Sequence, residues 1–226
     1  MRAREQIRSL KRDGTVAVAT AMIAGALLVP ANVRAFNGNA AANYADQYAL
    51  GNNTKDYPIW DNDCANYTSQ VMRAGGYPWH NMGGSTTDNH NWWFKWTWGG
   101  ISWNNTRSWS FAADQRSFLI LDIPGGIIKG QTTGNSNTGS NYWRRWPTNV
   151  GLTRGDLLYY DWGQGAGWSH VSVLTVQGGY STGYGWYGDL VDAHNNKRYR
   201  AFWDLSEYNA YAWTTKVEAM HIAASN

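Results

Sequence analysis

Asp61-Asn62-Asp63-Cys64-Ala65-Asn66-Tyr67-Thr68-Ser69-Gln70 decides the reading of this chain, because it sets the only cysteine of 226 residues where a polar cap runs into a helix. A thiol in the first turn meets free N–H groups and the positive end of the helix dipole, which favour thiolate and so suit a nucleophile. Cys64, Tyr67, Thr68 and Val71 recur at helical spacing, turning the thiol toward the body of the fold. Asp61, Asn62 or Asp63 can cap this helix, and Gly75-Gly76 ends it. The plainer alternative is a buried apolar filler.

The start of the chain reads as an export signal. Arg and Lys crowd residues 1–15, residues 16–30 are almost wholly apolar, and Val33-Arg34-Ala35 offers small residues where a signal peptidase cuts. Residues 1–35 are therefore expected to be a signal peptide and residues 36–226 one secreted domain. The basic pair is Lys11-Arg12, which favours ordinary secretion over twin-arginine export. The apolar run of about 14 residues is short of the roughly 20 that span a bilayer, so no stable membrane insertion is expected after cleavage.

Of the 19 basic and 16 acidic residues, six basic and two acidic fall in the signal, leaving 13 and 14. The mature domain is thus nearly neutral, and a nucleic-acid partner is not expected. Secreted domains use cysteines in pairs for disulfides, and one cysteine cannot form an internal bridge. That weighs toward a reactive thiol.

Residues 40–50 and 111–121 read as further helices, and residues 77–109 as loops pinned by aromatic side chains. The stretch 131–141 of Gly, Ser, Thr and Asn reads as a flexible surface loop. Strand patterns at 156–161, 168–176, 186–194 and 216–222 follow. Helices first and an antiparallel sheet afterwards predict an α+β fold.

A nucleophilic thiol needs a base, usually histidine. His170, in Trp168-Ser169-His170-Val171-Ser172-Val173, stands at the mouth of the best strand, whereas His80, His90 and His221 have no comparable setting. The residue orienting its ring is sought on the next strand, in Asp192-Ala193-His194-Asn195. A hairpin centred on Thr182 pairs 170 with 194 and 172 with 192, which ranks His194 first and Asp192 second.

In this order the motifs resemble the bacterial putative amidase domain family, within the papain-like cysteine hydrolases. The resemblance rests on residues 62–70 ahead of Ala74-Gly75-Gly76, on Ser102-Trp103 before a helix, and on Gly155-Asp156-Leu157-Leu158-Tyr159-Tyr160-Asp161, Ser169-His170-Val171 and Asp192-Ala193-His194-Asn195. It implies a papain-like arrangement, with N-terminal helices carrying the cysteine packed on a C-terminal sheet carrying the histidine. It further implies Cys64 as nucleophile, His170 as base and a polar residue of the following strand as third member. Family members more often carry Ser-aromatic-His where this chain has Asp192-Ala193-His194, which favours His194 and leaves Asp192 as its rival.

The implied chemistry is amide hydrolysis through an acyl-enzyme, the oxyanion held by the Cys64 N–H and a donor from Asn62, unless Asn62 only caps the helix. No cofactor is expected. Asp88-Asn89-His90 has no partner at metal-ligand spacing, so no metal is expected either. All 15 tryptophans lie in the mature domain, and their rings suit either a core or a sugar face. Peptide amides, with peptidoglycan in the cell wall as the available source, are the expected substrate for a monomeric enzyme. The competing readings are a non-catalytic, aromatic-rich wall-binding module and an extracellular protease acting on proteins.

Overall fold

The computed structural model describes residues 35–121, 125–133 and 140–223. The expected signal peptide falls, but for Ala35, outside the described residues.

The first helix, α1 (Gly38–Tyr48), starts at Asn37, whose side chain accepts from the Ala40 N–H at 3.0 Å. Ala41, Ala42 and Ala45 are its buried positions, and their small side chains let α2 (Cys64–Ala74) come close: the Tyr67 hydroxyl donates to the Ala45 carbonyl at 2.7 Å. Every residue of α2 from Cys64 to Met72 is buried, so it is a central helix rather than the one-sided one its apolar spacing predicts.

Its polar face is satisfied by hydrogen bonds from neighbouring elements. Trp109 Nε1 donates to Asn66 at 2.8 Å, Trp92 Nε1 to Ser69 at 3.0 Å and the Tyr44 hydroxyl to Gln70 at 2.8 Å. Gln115 uses both ends of its amide: Nε2 donates to the Ala65 carbonyl and Ser69 hydroxyl, while Oε1 accepts from Thr68 and Tyr159. Gln115 belongs to α4 (Ala112–Leu121), which follows the short α3 (Arg107–Ser110). Phe111, with φ −123° and ψ 128°, separates the two.

The tryptophan-rich stretch holds a hairpin, β1 (Phe94–Thr97) with β2 (Ser102–Asn105), where sequence reading expects only loops. Trp92 and Trp109 are fully buried, whereas Trp98 at the hairpin turn is 86% exposed. Residues 131–133, expected in a loop, close β3 (Gly126–Thr133) instead, because they pair with the last strand, β8 (Lys216–Ile222). Residue 141 opens α5 (Asn141–Arg144), and residues 134–139 of that expected loop lie outside the described residues.

A six-stranded antiparallel sheet, ordered β3-β8-β4-β5-β6-β7, is completed by β4 (Leu157–Asp161), β5 (Trp168–Ser181), β6 (Trp186–Ala193) and β7 (Arg198–Phe202). Alternate residues of β4 and β5 serve two cores. Leu157, Tyr159, Val171 and Val173 face α2, with Cys64, Tyr67 and Met72. Leu158, Tyr160 and Leu174 face the other way. There α5 and α6 (Trp146–Asn149) bring Trp143 and Trp146 against Trp203, with ring centroids 4.7 and 5.1 Å away.

Gly155, before β4, has φ +91°, and a Cβ there would stand 2.4 Å from the Gly38 carbonyl oxygen, so only glycine lets this turn meet the start of α1. Two irregularities decide which face each candidate side chain takes. Tyr160 pairs with His170 but Asp161 with Trp168, which leaves Ser169 as an extra residue in β5. Between β5 and β6, Val173 rather than Ser172 stands opposite Asp192, because the hairpin closes later than Thr182 and carries two register shifts. A slip of one residue moves side chains to the opposite face.

Candidate active site

Cys64 opens α2 as the sequence predicts and is 6% exposed, its sulfur 4.0 Å from the Ser169 carbonyl oxygen on β5. Burial pushes its thiol up to about 11; hydrogen bonds from the backbone at Val171 and Ala65 act in the other direction but do not offset it. The expectation that the helix start makes the thiol acidic is therefore corrected: desolvation of the thiolate outweighs the N-terminal N–H groups here.

Asp63 occupies the N-cap position but makes no capping hydrogen bond from its side chain. One oxygen accepts from Asn66 Nδ2 at 2.6 Å, and the other lies 2.6 Å from His194 Nδ1. Asn62 is exposed in the preceding loop.

His170 starts the regular part of β5 on the face opposite Val171. Its ring packs beside Tyr160 and Trp162, with centroids 5.6 and 5.4 Å away, and borders a cavity of about 430 Å³ that Cys64 does not line. Burial, then the charge of Arg198, lower its basicity to about 4, so the ring is neutral near pH 7. The sulfur thus touches the backbone beside His170, while the imidazole is turned to the other side of the sheet. No hydrogen bond joins the two side chains.

His194 and Asp192 share the α2 face, so neither meets the His170 ring. His194 stacks flat on Tyr67, with centroids 3.8 Å apart and planes 7° apart, and its Nε2 stands 2.8 Å from the Tyr48 carbonyl oxygen. With Asp63 on Nδ1, both ring nitrogens face acceptors. Asp192 is fully buried, accepts from the Arg200 N–H at 2.6 Å, and is held protonated above the usual carboxylate range, first by burial and then by the nearby charge of Asp46.

The expected pairing of 170 with 194 is corrected by the register. Residue 194 lies beyond the last β5–β6 pair, Val173 with Asp192, whose spacing carries it toward 171. The structure brings Cys64, Asp63 and His194 together on one face and His170 with Arg198 on the other. Sequence reasoning missed the Asp63–His194 pair, although an acid directly before a candidate nucleophile was a signal to test. It also missed Arg198. Among the described residues no cluster of three or more His, Cys, Asp or Glu could hold a metal ion.

Fold and site define an α+β protein whose single thiol opens a central helix against an antiparallel sheet. The family model described as a putative amidase domain matches residues 35–219, and the chain belongs to that family. The chain is 29% identical to the uncharacterized protein YjcM of Bacillus subtilis (strain 168) over 152 residues, covering 64% of this chain and 29% of that protein. It thus spans less than a third of that relative's length. No solved structure matches the chain.

Proposed function

We propose that the protein is a secreted, cysteine-dependent amide hydrolase in which Cys64 is the nucleophile and His170 its base, arranged as in papain-like hydrolases. The observation that carries this reading is the contact between the Cys64 sulfur and the β5 backbone at Ser169, the residue before His170. Family membership supports this reaction class.

In the resting state described here the thiol is protonated and the imidazole faces the cavity, so catalysis requires the ring to be re-aimed. The means lie in β5 itself. Ser169 is an unpaired bulge residue, preceded by Gly163, Gly165 and Gly167, all with left-handed φ. Moving the extra residue two positions along β5, from Ser169 to Val171, would pair His170 with Tyr159 and turn its side chain to the α2 face. His170 then takes the Cys64 proton, the thiolate attacks the amide carbonyl carbon, and the proton passes to the departing amine. Water deprotonated by His170 hydrolyses the thioester, and Cys64 is regenerated.

The Cys64 backbone N–H, with Asn62, is the proposed oxyanion support. His194 serves as the third polar residue by anchoring Asp63 beside the nucleophile, with Asp192 as the alternative. The proposed substrate is a peptide amide of the cell wall.

The test is release of new amino groups from purified wall peptides, with casein as the protein-directed comparison. Wild type should release them, Cys64→Ala should not, and its circular dichroism should be unchanged. Activity retained by Cys64→Ala removes the nucleophile assignment, and preference for casein moves the reading to a protein-directed protease. The raised thiol favours a second reading, a non-catalytic binding module. Absence of hydrolysis by wild type, together with retention on intact wall, would select it.

A further inference from the structure

The cavity beside His170 contains a cation that has no acidic partner among the described residues. Arg198 lines it, with the guanidinium carbon 4.0 Å above the Tyr208 ring. Its Nη1 donates only to the Lys197 carbonyl, at 3.3 Å, and among the described residues no carboxylate lies within ion-pair distance of it. Of the acids in the loop after β7, Asp204 Oδ1 accepts from Ser206 and Glu207 Oε1 accepts from Ser181.

Trp162, Tyr208, Tyr211, Asn195 and Asn196 line the same cavity. Tyr208 and Tyr211 are about half exposed, at 52% and 51%. Aromatic walls with a few converging polar groups are the make-up of a ligand pocket, and about 430 Å³ is within the range of such pockets.

The backbone gives a second, independent sign. Four non-glycine residues among those described have left-handed φ, and two of them, Asn195 at 84° and Leu205 at 54°, line this cavity from the turns before and after β7. Such conformations cost free energy and gather at ligand sites, where the surrounding fold holds them. An unpaired guanidinium recognises a carboxylate through parallel N–H donors, and amide side chains recognise peptide groups.

We propose that this cavity is a binding site for the free carboxylate end of a short peptide, with Arg198 on the carboxylate, Asn195 and Asn196 on the peptide groups and the aromatic rings along the chain. The proposal deepens the amide-hydrolase reading, since it names the acidic peptides such an enzyme would hold. Its test is one of binding alone.

Isothermal titration of Cys64→Ala with N-acetyl-trialanine, and with the same peptide closed as a carboxamide, measures recognition in a protein that cannot turn over through the thiol. The acid should bind at least tenfold more tightly than the amide. Arg198→Gln should reduce the acid to the affinity of the amide, and Arg198→Lys should retain part of the preference. Equal binding of acid and amide, binding of neither, or an unchanged acid affinity in Arg198→Gln would overturn the proposal. Loss of the hydrolase reading in the wall assay would leave this outcome untouched, so the two failures are distinguishable.

Discussion

Labelling of Cys64 measures how far burial has overridden its helical position. Raising the thiol from an ordinary 9.0 to about 11 lowers the thiolate present at pH 7.5 by about 100-fold. A more basic thiolate is intrinsically more nucleophilic, which returns about 8-fold, so ionisation alone should slow alkylation by roughly tenfold. The thiol is also only 6% exposed, which slows it further. The assay is intact-mass measurement of the iodoacetamide adduct with time from pH 6.5 to 10, with the same chain unfolded in guanidinium as its own reference. Native labelling should be at least tenfold slower than the reference at pH 7.5 and should keep rising with pH through 10. A native rate equal to or above the reference, level below pH 8, would refute the burial reasoning and show an imidazole already paired with the thiol in solution.

Removing His194 should leave the buried Asp63 side chain without its Nδ1 partner, so His194→Ala should lose about 1–3 kcal/mol in denaturant unfolding, whereas Asp63→Asn with His194→Gln should recover part of that loss. Gln115→Leu should cost about 2–4 kcal/mol by chemical denaturation, because Tyr159, Thr68 and Ser69 lose a buried partner. Asp192 is protonated more readily folded than unfolded, so its contribution is present at low pH and is lost as pH rises from the ordinary carboxylate range toward neutrality. Asp192→Asn should therefore raise the melting temperature at pH 8 relative to wild type and narrow the difference at pH 4. His170 is shifted the other way, to about 4, so its contribution is complete above about pH 6.5 and fades as pH falls through 4. His170→Gln should weaken acid unfolding in that window, as read by tryptophan fluorescence.

The α+β order, the thiol at a helix start and the main strands were legible because each rests on local pattern. Capping residues, helical spacing and alternation are contained within a few residues. What escaped was non-local. The hairpin of β1 and β2 consists of four-residue strands among tryptophans, and β3 exists because β8 pairs with it. The amphipathic reading of α2 failed because Asn66, Ser69 and Gln70 have the polarity of a solvent face. Only the tertiary partners Trp109, Trp92 and Tyr44 make them buried.

The sequence by itself determined that one thiol begins a helix, that a histidine begins a strand and that acid and imidazole follow on the next strand. Tertiary structure decided which of these meet. One extra residue at Ser169 and two register shifts in the β5–β6 hairpin assign His170 to one face and His194 to the other. Side chains alternate every residue along a strand, so faces depend on single-residue register, and register is set by bulges and pairing that no local pattern records.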